Sequence, residues 1–125
     1  MQSAAFVTLA STQLEKQVEF YSLFLSLAPR VNTPTYAEFQ LSGLKLAIFS
    51  PKEDHVTEFY GDHALSAVRG PMSLCLEVED LEGAITLLTT LGFAPPGDII
   101  HASHGQEVYA YDPDGNRLIL HQSPS

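Results

Sequence analysis

The sequence has no tryptophan, a single cysteine and few basic side chains. One cysteine, Cys75, excludes an internal disulfide framework and fits a reducing compartment, so we expect a cytoplasmic protein. Six lysines and arginines are scattered among 15 acidic side chains, giving a formal net charge of −9. Because no basic cluster is present to neutralise phosphates, nucleic-acid binding is disfavoured. A neutral or cationic small molecule suits this charge better than an anionic one.

Long apolar runs are also missing. No segment approaches the ~20 apolar residues that a membrane-spanning helix needs, so we expect no membrane association. The first residues, MQSAAFVTLASTQLEKQ, do not combine a basic start with an apolar block, which argues against a signal peptide. The composition is 45% apolar and 17% charged, as in ordinary globular proteins. The 125 residues fit a single domain over residues 1–125.

The first half of the chain shows a strand, a helix and a hairpin. Residues 5–10 (AFVTLA) predict a strand, and residues 12–15 (TQLE) predict a capping box that opens a helix. Apolar residues at helical spacing follow until Pro29, which is expected to end that helix. Two apolar runs at 36–41 and 44–49, joined by Ser-Gly, predict a β-hairpin.

The same order restarts in the second half. Residues 73–78 (SLCLEV) predict a strand, Asp80 is a candidate N-cap of a second helix, and Gly92 is placed as its C-cap. The DPDGN sequence at 112–116 predicts a tight turn between two strands. Three further strands are therefore predicted, at about residues 99–100, 107–111 and 117–121.

The two halves correspond at fixed offsets, which indicates an internal repeat. Leu14 corresponds to Leu81 at an offset of 67 residues, and Gly43 corresponds to Gly115 at an offset of 72. One such unit cannot bury its own sheet, so its repetition implies that the two copies pack together. The connection between the two halves shows no clear hydrophobic period, apart from a helical turn expected near residues 63–68. Module one, the connection and module two are predicted at about residues 4–50, 51–71 and 72–122.

Several segments resemble the vicinal oxygen chelate superfamily, which includes glyoxalases, bleomycin-resistance proteins and extradiol dioxygenases. Residues 107–121 (EVYAYDPDGNRLILH) resemble its closing hairpin, and residues 6–21 and 73–88 resemble the openings of its two modules. The resemblance implies an α+β fold of two tandem βαββ(β) modules. Their strands would curl into one mixed sheet, a cup with helices outside and a ligand on its concave face. It also implies a homodimer, with the ligand at or near the dimer interface.

The same resemblance places a divalent metal at four positions, where the family's enzymes have His or Glu. Here those positions hold Phe6, Ala47, Ser73 and Ile119. Metals of this type need carboxylate oxygen or imidazole nitrogen, and only the serine offers even a weak donor. We therefore expect no metal and no cofactor. The sequence favours a metal-free binding protein of the bleomycin-resistance type over an enzyme.

Strand alternation predicts which side chains line the cup. Module one contributes Phe6, Thr8, Lys45, Ala47 and Phe49, and module two contributes Ser73, Cys75, Glu77, Glu107, Tyr109, Tyr111, Arg117, Ile119 and His121. Such a wall is typical of a small-molecule pocket and equally of a packed core. His121 is either a polar group for the ligand or a solvent-facing side chain. Cys75 is expected to be a small buried apolar residue, and Glu77 to pair with Arg117, Lys45 or a basic ligand.

Two other functions stay open. One is a lyase, isomerase or dioxygenase relative whose metal ligands have moved to residues such as His63, His101, His104 or His121. His101, His104 and Glu107 show a His-x-x-His-x-x-Glu spacing, although their predicted loop position favours exposed histidines without a metal. The other is an interaction domain whose cup is filled by its own side chains.

Overall fold

The computed structural model describes Met1 and residues 3–60 and 70–125. The chain divides into two compact units, Met1–Ser66 and Ala67–Ser125. Each unit has the element order β-α-β-β-β and holds one four-stranded mixed sheet. The predicted α+β class with two repeated modules is therefore confirmed. The joining of both modules around one ligand cup stays a prediction.

The first unit forms its sheet from strands at both ends of the module. The elements are β1 (Val7–Ala10), α1 (Leu14–Leu25), β2 (Val31–Asn32), β3 (Tyr36–Leu41) and β4 (Leu44–Phe49). The strand order is β1-β4-β3-β2, with β1 parallel to β4 and the other neighbours antiparallel. The predicted hairpin is confirmed at its predicted bounds. The two-residue strand β2 was not predicted, because an exposed Val-Asn pair carries no periodic signal.

Helix α1 packs its aromatic face on this sheet. Phe20 and Tyr21 are buried, and the Tyr21 ring lies 6.4 Å from the ring of Phe39. The predicted capping box is wrong, because α1 begins after Gln13 and the Ser11 hydroxyl accepts a 3.0 Å hydrogen bond from the Gln13 amide. The helix ends at Leu25, before the proline, where Ser26 takes a left-handed conformation with φ of 51°.

The connection contains short helices that the sequence did not predict. A 3-10 turn spans Glu53–His55, and helix α2 spans Val56–Tyr60. The Phe59 ring meets Phe49 edge-on at 5.3 Å, and the Tyr60 hydroxyl donates a 3.0 Å hydrogen bond to the Ala10 carbonyl. These tertiary contacts fix a helix too short to show a period in the sequence. The helical turn expected near 63–68 lies outside the described residues.

The second unit repeats the first. Its sheet has the order β5-β8-β7-β6, with β5 parallel to β8. The Asp80 carboxylate accepts a 3.1 Å hydrogen bond from the Gly83 amide, and Gly92 ends the helix with φ of 92°, so both predicted caps are confirmed. The elements are β5 (Leu74–Glu77), α3 (Leu81–Leu91), β6 (Ile100–Ala102), β7 (Gly105–Tyr111) and β8 (Arg117–Gln122).

The repeat extends to strand register. Thr8 lies beside Ala47 in the first unit, and Cys75 lies beside Ile119 in the second. These pairs are related by the same offsets of 67 and 72 residues that the sequence shows. Equivalent residues therefore occupy equivalent places in the two sheets.

Among the described residues, no helix has the length and apolarity to cross a membrane.

A buried aspartate holds the turn between β7 and β8. Asp112 is almost fully buried, and its Oδ1 accepts hydrogen bonds from the amides of Asp114 and Asn116 at 3.0 and 2.9 Å. Its Oδ2 accepts a third bond, 2.9 Å long, from the Asn116 side chain. Gly115 supplies the left-handed residue of the turn, with φ of 84°. This turn sets the register in which β8 returns along β7.

Replacing this carboxylate is expected to destabilise the fold. Asp112→Ala removes the acceptor of two backbone amides, which should lower the free energy of unfolding by about 1–3 kcal/mol. Urea denaturation followed by circular dichroism measures this loss. Asp98→Ala, at an exposed loop position, is the matched control and should stay within about 0.5 kcal/mol of the parent. Equal stability of the two variants would contradict the assignment.

Candidate functional site

The second sheet has one covered face and one open face. Helix α3 packs toward β8, where Leu118 and Leu120 are buried together with Val108 of β7. The alternate residues point the other way, as strand alternation requires. We call these side chains the open face: Ser73, Cys75, Glu77, Glu107, Tyr109, Tyr111, Arg117, Ile119 and His121. Every lining residue predicted in module two lies on it.

Strand register arranges the centre of the open face in two rows. Cys75, Ile119 and Tyr109 lie side by side across β5, β8 and β7 and form an apolar row. One pleat further on, Glu77, His121 and Glu107 form a polar row. Tyr109 is 41% exposed, so the apolar row is accessible from the open face.

The lining residues predicted in module one also share one face of their sheet. Phe6 is 48% exposed, and Thr8 is exposed beside the fully buried Ala47. Phe49 is half-buried against Phe59 of α2. The end of this face near Phe49 is therefore covered by the chain itself, whereas the end near Phe6 is not.

A chain of hydrogen bonds runs through the polar row. The Glu77 Oε1 lies 2.7 Å from Nδ1 of His121, and the His121 Nε2 lies 3.0 Å from Nδ1 of His104. The second oxygen of Glu77 accepts bonds from the amide and hydroxyl of Ser123, at 2.9 and 3.0 Å. The prediction that Glu77 pairs with Arg117 or Lys45 is wrong, because register places the imidazole directly beside it.

These contacts shift two pKa values in opposite directions. The hydrogen bond that His121 donates to Glu77 raises the pKa of His121 above its ordinary value of 6.5, and partial burial opposes this shift. The same bond, helped by the Ser123 amide, lowers the pKa of Glu77 below 4.5. The His121 side chain is 15% exposed and the Glu77 side chain 59% exposed. The pair therefore tends toward imidazolium and carboxylate near neutral pH.

Cys75 lies on the exposed surface, so the prediction of a buried thiol is wrong. Its place in the β5 alternation puts it on the open face rather than under α3. Partial burial raises the pKa of this thiol, and the charges of Glu107 and Glu77 raise it further. A raised pKa leaves the thiol protonated at neutral pH, which disfavours a nucleophilic role.

The four family metal positions do not fit a metal ion. The Arg117 Nε donates a 2.6 Å hydrogen bond to Ser73 Oγ, so that hydroxyl already contacts a cation. In the first unit the Lys45 ammonium lies 4.0 Å from the centre of the Phe6 ring and 3.0 Å from Glu38. Ala47 and Ile119 offer no donor atom. Basic side chains thus lie against two of the four positions, where they repel a second cation.

A different set of potential ligands comes together at the end of the polar row. One donor atom from each of His104, Glu107 and His121 lies within 4.8 Å of the other two. His101, which the His-x-x-His-x-x-Glu spacing included, is instead in β6 beside Gln106. Sequence spacing therefore identified two of the three members and missed the grouping with His121. His63 lies outside the described residues.

Gly105 makes this approach possible. It follows His104 with φ of 131°, a conformation that side chains rarely adopt. A Cβ at this position would clash with the Gln122 carbonyl oxygen and lie 3.1 Å from His121 Nε2. A glycine directly after a candidate ligand is the sequence signal that points to this close approach.

Removing the Glu77 charge should lower the pKa of His121. In Glu77→Gln the imidazolium loses its anionic partner, so the His121 ring signals should titrate at lower pH in an NMR titration with EDTA. Because the pKa of His121 is raised in the folded protein, its protonation stabilises the fold fully below pH 6.5. Because the pKa of Glu77 is lowered, its ionisation stabilises the fold fully above pH 4.5. The destabilisation by Glu77→Gln should therefore be greatest between these pH values and fade as His121 deprotonates. Glu79→Gln is the exposed control, and an equal titration in both variants would refute the pairing.

Several solved structures share this fold. A protein from Agrobacterium tumefaciens is 22% identical with a TM-score of 0.75, and the match covers 100% of each chain. A glyoxalase-related enzyme from Fulvimarina pelagi is 25% identical with a TM-score of 0.71, covering 99% of this chain and 90% of that one. The fosfomycin resistance protein FosX from Listeria monocytogenes is 15% identical with a TM-score of 0.76, covering 99% and 93%. Among curated proteins, none matches this chain.

The sequence profile of one family matches nearly the whole chain. The match is to the Glyoxalase family and extends over residues 3–120, which include the first module, the connection and all but the last residues of the second module. It agrees with the repeated β-α-β-β-β order and with the parallel pairing of first and last strands in each unit. The chain belongs to the Glyoxalase/Bleomycin resistance protein/Dioxygenase superfamily.

Proposed function

We propose that this protein binds a neutral or cationic small molecule on the open face of the second sheet, without a metal ion at the family's four positions. The observation that carries the proposal is the apolar row beside the polar row on one accessible sheet surface. The exposed Tyr109 ring offers a stacking surface, and the carboxylates of Glu77 and Glu107 lie one pleat away. Aromatic faces with nearby carboxylates suit an organic cation or a neutral aromatic ligand.

The charges around the open face support this ligand class. The Arg117 guanidinium donates to Ser73 Oγ and to the Gly70 and Met72 carbonyls, so its charge is directed toward the edge of the sheet. The net charge of −9 also favours the approach of a cation over an anion. Noncovalent binding accounts for this arrangement of side chains on the open face, so the proposal requires no covalent bond between the protein and the ligand.

Matched aromatic probes test the proposal. Benzyltrimethylammonium, benzyl alcohol and phenylacetate have similar size and differ in charge, and each is titrated into the ¹⁵N-labelled protein with EDTA. We expect shifts at the amides of Cys75, Tyr109 and Ile119 with the cation, weaker shifts with the alcohol and none with the anion. Shifts that are strongest with phenylacetate, or absent with all three, would contradict the proposal.

A variant pair locates the binding surface. Tyr109→Ala removes the stacking ring, which should weaken the cation's affinity by about five- to tenfold, corresponding to roughly 1–1.4 kcal/mol. Gln106→Ala lies on the same strand with its side chain on the opposite face, and it should bind like the parent. Equal weakening in both variants would place the binding elsewhere.

The proposal includes a homodimer, with the ligand at or near its interface. Exposed apolar side chains on both sheets, Phe6 and Tyr109, are compatible with burial against a second copy. Light scattering coupled to size-exclusion chromatography should give about twice the chain mass of 13.7 kDa. A mass of one chain at high concentration would remove the dimer from the proposal.

A second candidate function is a divergent lyase-, isomerase- or dioxygenase-type enzyme. The specific observation that favours it is the Glu77–His121 pair, in which a carboxylate orients an imidazole as in many general bases. Turnover of a bound ligand that His121→Gln abolishes while leaving its affinity unchanged would favour this function. The third possibility, an interaction domain with a filled cup, is disfavoured by the exposed rings of Phe6 and Tyr109.

A further inference from the structure

We propose that His104, Glu107 and His121 form a binding site for one divalent transition-metal ion of the zinc type. The site is distinct from the four positions that the family's enzymes use. It does not rest on the small-molecule proposal, since three side chains of one module supply all of its ligands.

The donor atoms are already close to the spacing that a metal ion requires. The His104 Nδ1 and His121 Nε2 are 3.0 Å apart, and a Glu107 oxygen lies within 4.8 Å of one ring nitrogen of each histidine. Two ligands with zinc bonds of about 2.0–2.1 Å stand roughly 3.3 Å apart in a tetrahedral site. The two imidazoles therefore need to separate by a few tenths of an ångström and to turn toward a common point, since their nitrogens now face each other with ring centres 5.1 Å apart, and the carboxylate needs to rotate inward.

A second carboxylate prepares one of the ligands. Glu77 Oε1 lies 2.7 Å from His121 Nδ1 and accepts a hydrogen bond from it, which holds a proton on Nδ1 and directs Nε2 toward the ring nitrogen and the carbonyl oxygen of His104, both 3.0 Å away. Ser123 in turn holds the other Glu77 oxygen with its amide and hydroxyl. A histidine that ligates through one nitrogen and donates to a carboxylate through the other is the usual arrangement around protein-bound zinc.

The local fold brings the ligands together from three places. His121 is in β8 and Glu107 lies beside it in β7, so strand register alone joins them. His104 is in the turn before β7, and Gly105 lets that turn approach the end of β8. Three protein ligands of this kind leave a coordination position for water or another ligand, as in catalytic rather than structural zinc sites.

Metal binding replaces an interaction that the metal-free protein makes. The His104 Nδ1 and His121 Nε2 are 3.0 Å apart, a hydrogen-bond distance that requires one proton between them. The ion takes both lone pairs, and that proton passes to solvent. The negative charges of Glu77 and Glu107 favour the replacement of this proton by a divalent ion, because they attract the larger positive charge more strongly.

The experiment uses the untagged full chain after dialysis against EDTA and then metal-free buffer. Zn²⁺ is titrated by isothermal calorimetry, and Co²⁺ is titrated by its visible absorption. We expect one ion per chain and a cobalt spectrum of a low-coordinate nitrogen and oxygen site. Zinc should also shift the ring signals of His104 and His121 in NMR spectra while leaving those of His101 in place.

Variants of exposed residues keep the test independent of folding. His104→Ala removes an exposed turn side chain and should weaken Zn²⁺ binding at least tenfold. Glu77→Gln, which touches no metal, should weaken it by about 10- to 100-fold through its effect on His121. His101→Ala, three residues from His104 and next to Gln106 in β6, is the matched control and should bind like the parent.

Each outcome separates this proposal from the previous one. No Zn²⁺ binding by the parent, or equal weakening in His101→Ala and His104→Ala, would overturn the metal site and leave the small-molecule proposal intact. The aromatic probes are titrated with EDTA, so their failure would leave the metal site intact. Folding of every variant is checked by circular dichroism before its affinity is compared.

Discussion

The parallel pairing of β5 with β8 is the constraint on which the candidate site depends. These strands lie at opposite ends of the second module, and the register of their pairing places Glu77 beside His121 across 44 residues of sequence. The buried Asp112 turn fixes how β8 returns along β7, which adds Glu107 to the same row. A slip of β8 by one residue would turn His121 toward α3 and away from both glutamates. The chemistry of the open face is therefore a consequence of register.

The sequence predicted the fold and the faces because both follow from local patterns. Alternation in SLCLEV and RLILH identified the open-face residues, and the offsets between Leu14 and Leu81 and between Gly43 and Gly115 predicted the repeated register. The Asp80 cap was equally local, since its partner is three residues away. Where the prediction failed at Thr12, the neighbouring Ser11 offered the same hydroxyl chemistry one residue earlier.

The contacts of the site could not be predicted in the same way, because they join distant residues. The sequence offered Arg117 and Lys45 as cationic partners of Glu77, and only strand register reveals His121 in their place. The position of His104 depends on the backbone angles of Gly105, which the sequence permits without requiring. Helix α2 depends on the contacts of Phe59 and Tyr60 with the sheet rather than on its own five residues.

Strand alternation also limits how a family metal site can move. A ligand stays on the open face only when it shifts by an even number of residues, about 6.6 Å for each pair. Ile119 to His121 is such a shift along β8, and Glu107 lies beside His121 on β7. The basic residues Lys45 and Arg117 occupy equivalent places in the two repeats, against the vacated positions Phe6 and Ser73. Arg117 places positive charge beside the family position Ser73, whereas Glu77 and Glu107 place carboxylates at the far end of β8, which is why we propose the cation site there.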